Sequence, residues 1–419
     1  MTERIIAALK RAGIENYTIK TNRVQSCEMF FIRRRRDMTR AKDVAKYDVT
    51  VYRDFEADGK AMRGAASAGV FEGMTDSELD KALTDAYYAA QFVKNPFYEL
   101  AGPYVGEDVC PEIDLAKAAQ TMADALFRAD GAADAFINSA EIFAERTTVR
   151  VVNSRGTDVR YLRHSFRGEF VAQCAFPQDV ELYRRFEYDT PDEDALRREA
   201  EQLIAAARDR SRADGAPKAG EYSMIISGPE LATLLSAYAE KADASMIYAG
   251  YSNYAIGCAA QGGEVSGEKL NLTLRARVPY SAEGVPMTER KLLKDGVLQT
   301  IHGGTRFCRY LGVEPTGSYG SLALDAGAMG IEQMKKEGVI YPVAFSDFQM
   351  DAFTGHFGGE IRLAYVYDKD GMHIVTGGSV SGSLFEAQKD MAFSVETYNS
   401  AEYSGPFAAL ISRVSVAGA

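Results

Sequence analysis

The sequence predicts an α+β fold, with an N-terminal sheet-plus-helix domain, a middle α/β segment and a large, mainly β C-terminal domain. Three observations carry this. Capped amphipathic stretches alternate with β-branched and aromatic runs over the first half of the 419 residues. The dipeptides Asp58-Gly59, Asp295-Gly296 and Asp370-Gly371 each separate two strand-like runs, a strong hairpin signal because such tight turns need φ > 0. Past residue 220 the pairs Gly303-Gly304, Gly358-Gly359 and Gly377-Gly378 punctuate strand-like sequence, as expected of bulges in a curved sheet.

The elements follow in order. Ile5, Ile6, Leu9 and Ala12 lie at helical spacing before Gly13, which predicts an amphipathic first helix. Residues 16–32 and 47–55 read as strands, and Asp58-Gly59 turns the second into 62–70. Thr75-Asp-Ser-Glu78 is a capping box, followed by the stripe Leu79, Leu83, Ala86, Ala90 and Val93 and ended by Pro96. Residues 1–102 are expected to form the first domain, with a linker over 103–111.

The middle domain, 111–216, is expected to hold a helix over 114–128, a long strand over 134–152, the turn Asn153-Ser-Arg-Gly156, and strands at 158–162 and 165–174. Thr190-Pro-Asp-Glu193 opens a further helix with proline at its first position, and Leu196, Ala200, Leu203, Ile204 and Ala207 give it one buried stripe. Residues 209–220 form the next boundary. The third domain, 221–419, is mostly β, and residues 269–278 place Leu270, Leu272, Leu274, Ala276 and Val278 on one face.

Composition narrows the function. A hydrophobic fraction of 46% and a charged fraction of 26% are those of an ordinary globular protein. No apolar run is long enough for a membrane span, and the first residues lack the pattern of a signal peptide, so a cytoplasmic address is expected. Five cysteines are scattered with no Cys-x-x-Cys pair, which suits reduced thiols. A net charge of −11 opposes nucleic-acid binding. Arg33-Arg-Arg-Arg36 is a local exception, read first as a solvated strand end and second as a contact for an acidic partner.

Several catalytic motifs fail. Gly262-Gly-Glu-Val-Ser-Gly267-Glu-Lys269 has its lysine one place too late for a phosphate loop and no Ser or Thr after it, so a mobile glycine-rich loop is expected. No Gly-x-Ser-x-Gly elbow surrounds any serine. The four histidines, His164, His302, His356 and His373, form no metal-binding pair along the chain. Tyr248, Tyr251 and Tyr254 suit an interface or chamber wall, where tyrosine is both apolar and hydrogen-bonding.

The junction Tyr222-Ser-Met-Ile-Ile-Ser-Gly-Pro-Glu-Leu-Ala-Thr-Leu-Leu235 is followed by Tyr280-Ser-Ala-Glu-Gly-Val-Pro286, Lys294-Asp-Gly-Val-Leu298, Arg309-Tyr-Leu-Gly312 with Pro315-Thr-Gly317, and Asp351-Ala-Phe-Thr-Gly355. In this order they resemble the C-terminal domain of the TldD/PmbA (TldE) family, the gyrase-modulator or peptide-maturation proteins. In the catalytic TldD half of that family the helix opens with His-Glu-x-x-x-His, supplying two zinc ligands and a general base. The matching positions here are Pro229, Glu230 and Leu234. Both imidazoles are replaced by side chains without a donor atom, so that zinc motif cannot form from this helix. The family's late cysteine ligand has no counterpart after Cys308.

Glu230 has two readings. It is a surviving general base, or it closes a capping box from Ser227, which is favoured because no metal-activated water stands beside it. The resemblance implies a non-catalytic TldE/PmbA-like subunit, with no catalytic or metal residues and no cofactor of its own. Zinc is then expected only in a TldD-like partner, and unfolded peptide is the substrate of the complex. The alternatives are a stand-alone homodimer that binds peptide, and an independent hydrolase with an unconventional site. Neither nucleic acid nor membrane is an expected partner.

Overall fold

The computed structural model describes residues 1–131 and 134–418. The first half is built from α1 (Thr2–Arg11), β1 (Asn16–Ile32), β2 (Arg35–Ala57), β3 (Lys60–Val70), α2 (Asp76–Ala90), β4 (Val105–Val109), α3 (Leu115–Arg128), β5 (Ala135–Asn153), β6 (Asp158–Cys174), β7 (Val180–Tyr188) and α4 (Glu193–Ser211). These strands make one sheet in the order β3-β2-β1-β5-β6-β4, with β7 also paired to β6. β1 runs antiparallel to β5 from Thr18 opposite Asn153 to Ile32 opposite Ser139. The boundary expected at 103–111 therefore falls inside a shared sheet, and β4, within that stretch, lies parallel to β6. Residues 1–102 leave one long edge of β1 without a partner, and β5 supplies it.

Local chemistry explains the connections. Asp58 and Gly59 have φ of 52° and 70°, the left-handed pair that a two-residue hairpin turn requires. Arg33, with φ of 56°, turns β1 into β2, so the arginine run straddles a hairpin instead of lying along a strand. Arg34 reaches Asp130 at 3.2 Å and Arg35 reaches Asp37 at 3.7 Å. β2 begins well before residue 47 because its exposed first part, which lacks any hydrophobic alternation, is held by its ladder to β1. The capping box at α2 forms: Glu78 N donates to Thr75 Oγ1 at 3.3 Å and Thr75 N to Glu78 Oε2 at 2.8 Å. At α4 the cap falls two residues later than expected. Asp192 Oδ1 accepts from Ala195 N at 2.9 Å, leaving Pro191 outside the helix.

Because strand side chains alternate, the sheet has two distinct faces. One packs under the helices: Ile19, Val49 and Val51 against α1 and α2, then Ile142 and Phe170 against α3 and α4. The other carries Tyr52, Val151 and Tyr161 and receives the C-terminal half.

That half begins with β8 (Gly220–Ser227), α5 (Gly228–Lys241), α6 (Ala244–Tyr248), β9 (Leu272–Leu274) and α7 (Thr305–Leu311). It holds two main sheets where one curved sheet was expected. In the larger, β8 lies between Val339–Met350 and Ala408–Ala417, which leads through Ser379–Ser383 to His356–Asp368. Since His356–Asp368 pairs back onto Val339–Met350, this sheet closes on itself. The smaller sheet centres on β9 and Leu322–Leu324. Only residues 272–274 of the expected 269–278 strand are ladder-paired as β9, because Leu322–Leu324 offers just three partners. Asp295 and Gly296, at φ of 51° and 78°, make the expected hairpin turn, and the strand Gly371–Val375 folds back after Asp370. The glycine-rich loop is pinned instead of loose: Ser266 N and Gly267 N both donate to Lys389 O, at 2.7 and 3.0 Å.

Candidate functional site

The stretch holding Pro229, Glu230 and Leu234 sits at the sharp turn from β8 into α5. Ser227 is still paired opposite Ala408 in the ladder. Gly228 then takes φ of 57° and donates its N–H to Phe407 O at 2.8 Å. A side chain is strongly disfavoured at that left-handed position, and Pro229 suits the first helical turn because its missing N–H is not needed there. The Ser227–Glu230 capping box expected from the sequence does not form. Ser227 Oγ points to Tyr341 Oη at 3.4 Å and caps nothing. Its place in the ladder fixes that direction.

Glu230 instead lines a cleft. It is half-buried, and loss of hydration holds its carboxyl above the usual range, with the Arg184 guanidinium opposing that rise. Leu234 is fully buried in the core with Met224, Ile226 and Leu235. Positions 229 and 234 offer a zinc ion no donor, because proline and leucine have none and Leu234 points into hydrocarbon. Among the described residues no three His, Cys, Asp or Glu side chains gather as a ligand set.

α5 lies between two concavities where the C-terminal half meets the open face of the first sheet. One, of about 770 Å³, is walled by Tyr52 and Tyr98 on one side and by Asp243, Glu283, His302 and Tyr319 on the other. The second, of about 340 Å³, lies beside Pro229 and Glu230 and is lined by Arg167, Glu169, Arg184 and Glu187. Both include Ala232 and Glu402 in their walls, so they lie next to one another along the helix. The C-terminal half is tied to the first sheet by Arg277, which pairs with Glu187 at 2.7 Å and Asp189 at 2.8 Å.

Sequence reasoning missed the polar group in the larger cavity. His302 is only 1% exposed, and its Nε2 lies 2.9 Å from Ala239 O. A carbonyl oxygen can only accept, so Nε2 carries the hydrogen and Nδ1 presents a lone pair. Burial pushes this imidazole down in pKa, which keeps it neutral. Nδ1 has no hydrogen-bond partner and stands 4.0 Å from Asp243 Oδ2. Two signals were present. Glu283 belongs to the Tyr280–Pro286 motif, and His302 directly precedes a glycine pair. Neither says that the two line one cavity.

The three tyrosines occupy different environments. Tyr248 is 46% exposed and packs on Tyr310 and Phe307, with ring centroids 4.8 and 5.8 Å away. Tyr251 is 66% exposed beside Phe353. Tyr254 is buried and donates to Ala260 O at 3.2 Å, so it serves the core and offers almost no surface.

Residues 219–418 match the family model for the PmbA/TldA metallopeptidase C-terminal domain. The crystal structure of TldE from Thermococcus kodakarensis has the same fold, with a TM-score of 0.78, 13% identity, and 99% of this chain and 100% of that one covered. A candidate modulator of a DNA gyrase from Thermotoga maritima MSB8 gives 0.75 at 16% identity, covering 99% and 98%. A similar candidate modulator from Bacteroides thetaiotaomicron VPI-5482 gives 0.75 at 16% identity, covering 100% and 99%. Among curated proteins no sequence match is found. Residues 219–418 thus match the PmbA/TldA metallopeptidase C-terminal domain family, and the chain shares over its whole length the fold of the TldE structure.

Proposed function

We propose that the chain is the non-catalytic, TldE-like subunit of a TldD-type zinc metallopeptidase complex that acts on unfolded peptides in the cytoplasm. The observation that carries this reading is the head of α5, where Pro229 and the core residue Leu234 occupy the places of the metal-binding imidazoles while the helix still borders a cleft. Zinc and the cleavage chemistry belong to the partner. This subunit has no cofactor of its own and completes the chamber. A cleft between a sheet face and a β-rich half suits an extended peptide, whose main chain can be held by hydrogen bonds that ignore sequence. Neither nucleic acid nor membrane is a partner in this reading, and among the described residues no helix is long and apolar enough to cross a bilayer.

The test is coexpression with a TldD-type protein from the same host. The expected result is copurification, with zinc and chelator-sensitive cleavage of unfolded peptide in the complex and neither in this chain alone. Stoichiometric zinc with proteolysis by the isolated chain overturns the proposal. A peptide-binding homodimer that ignores the TldD-type protein favours the stand-alone reading instead.

A further inference from the structure

The larger cavity beside α5 has a charge pattern that a general peptide groove does not require. Glu240, Asp243, Glu283 and Glu402 contribute to its wall, against one guanidinium, Arg306, which lies over the Phe307 ring at 4.2 Å. Tyr52, Tyr98 and Tyr319 supply aromatic walls. The carboxylates are held in place. Glu283 Oε2 accepts from Thr305 N at 2.7 Å, and Asp243 Oδ1 accepts from Ser245 N at 2.8 Å, with Oδ2 taking only a long bond of 3.3 Å from Ser318 Oγ. Next to Asp243 the buried Nδ1 lone pair of His302 lacks any donor. A buried acceptor left without a donor is unfavourable, so the wall asks for a hydrogen-bond donor as well as a positive charge.

We propose that this cavity receives a basic side chain, lysine or arginine, of the bound peptide. The proposal rests on the peptide-binding reading above. A lysine or arginine matches each feature. Its ammonium or guanidinium is a donor with no acceptor, its alkyl stem lies well along aromatic walls, and a cation near tyrosine faces gains further attraction. An acidic residue would meet four carboxylates, and an apolar one would leave the His302 acceptor unmatched and Asp243 Oδ2 with only its long bond from Ser318.

The experiment uses the full chain and three fluorescent unstructured peptides, identical except for lysine, norleucine or glutamate at one central position. The lysine peptide is expected to bind about tenfold more tightly than the norleucine peptide, and the glutamate peptide more weakly still. The double variant Asp243→Asn, Glu283→Gln should lose this preference. Both replacements keep their acceptor oxygens for Ser245 and Thr305, and circular dichroism with the urea midpoint checks that the fold persists. Equal binding of all three peptides overturns the inference while leaving the subunit reading intact. Should no peptide bind, the peptide reading fails, and N-acetyl-lysinamide is titrated against N-acetyl-norleucinamide by NMR. Selective binding of the lysine compound, lost in the double variant, then upholds the cavity assignment, and its absence overturns it.

Discussion

Tyr310 donates its hydroxyl hydrogen to the carbonyl oxygen of Pro96 at 2.6 Å, across the seam between the C-terminal half and the first sheet. Tyr98 meets the same ring edge-on at 5.9 Å, and Tyr248 packs on it with centroids 4.8 Å apart. Through this cluster Tyr52 and Tyr98 are held opposite Asp243. Tyr310→Phe keeps the packing and removes only the hydroxyl. It should lower stability by about 1 kcal/mol, read from urea unfolding, and increase proteolytic nicking around residues 94–104. An unchanged midpoint and digestion pattern would show that the hydrogen bond does not hold the seam.

Leu234→His tests whether the zinc motif can be restored by side chains alone. The imidazole would replace a fully buried leucine among Met224, Ile226 and Leu235. It would lose packing and bury a polar ring without a partner, so a loss of about 2–5 kcal/mol is expected. The double variant Pro229→His, Leu234→His should gain no stoichiometric zinc. Elemental analysis showing zinc on a stable double variant would contradict this.

Glu230 carries a pH signature. Burial raises its folded-state pKa above that of the unfolded chain, about 4.3. Its contribution to stability is therefore fully present below about pH 4 and lost as pH rises through the folded value. Glutamine has no proton to lose, so Glu230→Gln should gain on the native protein when urea midpoints are compared at about pH 4 and about pH 7. A difference that does not move with pH would show that the side chain is fully hydrated. Turnover of a reconstituted complex should change little, whereas a fall of about a hundredfold or more would mark Glu230 as a general base.

Tyr248 and Tyr251 are the exposed members of the tyrosine group. Replacing both with aspartate should weaken association with a TldD-type partner, or self-association if there is none. An aromatic anchor in an interface can contribute about 2 kcal/mol or more, and a buried charge is costly. Sedimentation of the folded double variant decides the point, and unaltered association would place the contact elsewhere.

What was readable in the chain was local. Asp58-Gly59, Asp295-Gly296 and the Thr75–Glu78 cap depend on a few neighbouring residues, and each forms as its chemistry requires. The pairing of Ile19 with Val152 does not, because nothing near either residue names its partner. Ser227–Glu230 has a capping-box pattern, yet the ladder to Ala408 decides where the serine points. Pro229 and Leu234 could be judged from residue identity alone. The meeting of His302 with Asp243, and of Glu283 with α7, is tertiary and left no local trace.

The shared sheet also bears on synthesis. When residues 1–102 have emerged from the ribosome, β1 to β3 can pair, but the outer edge of β1 waits for β5, more than a hundred positions downstream. Until then a long row of unpaired amides and carbonyls stands open to any other extended chain. The nascent protein is therefore most vulnerable to aggregation partway through its own translation, and a chain truncated after residue 102 would preserve that hazard permanently.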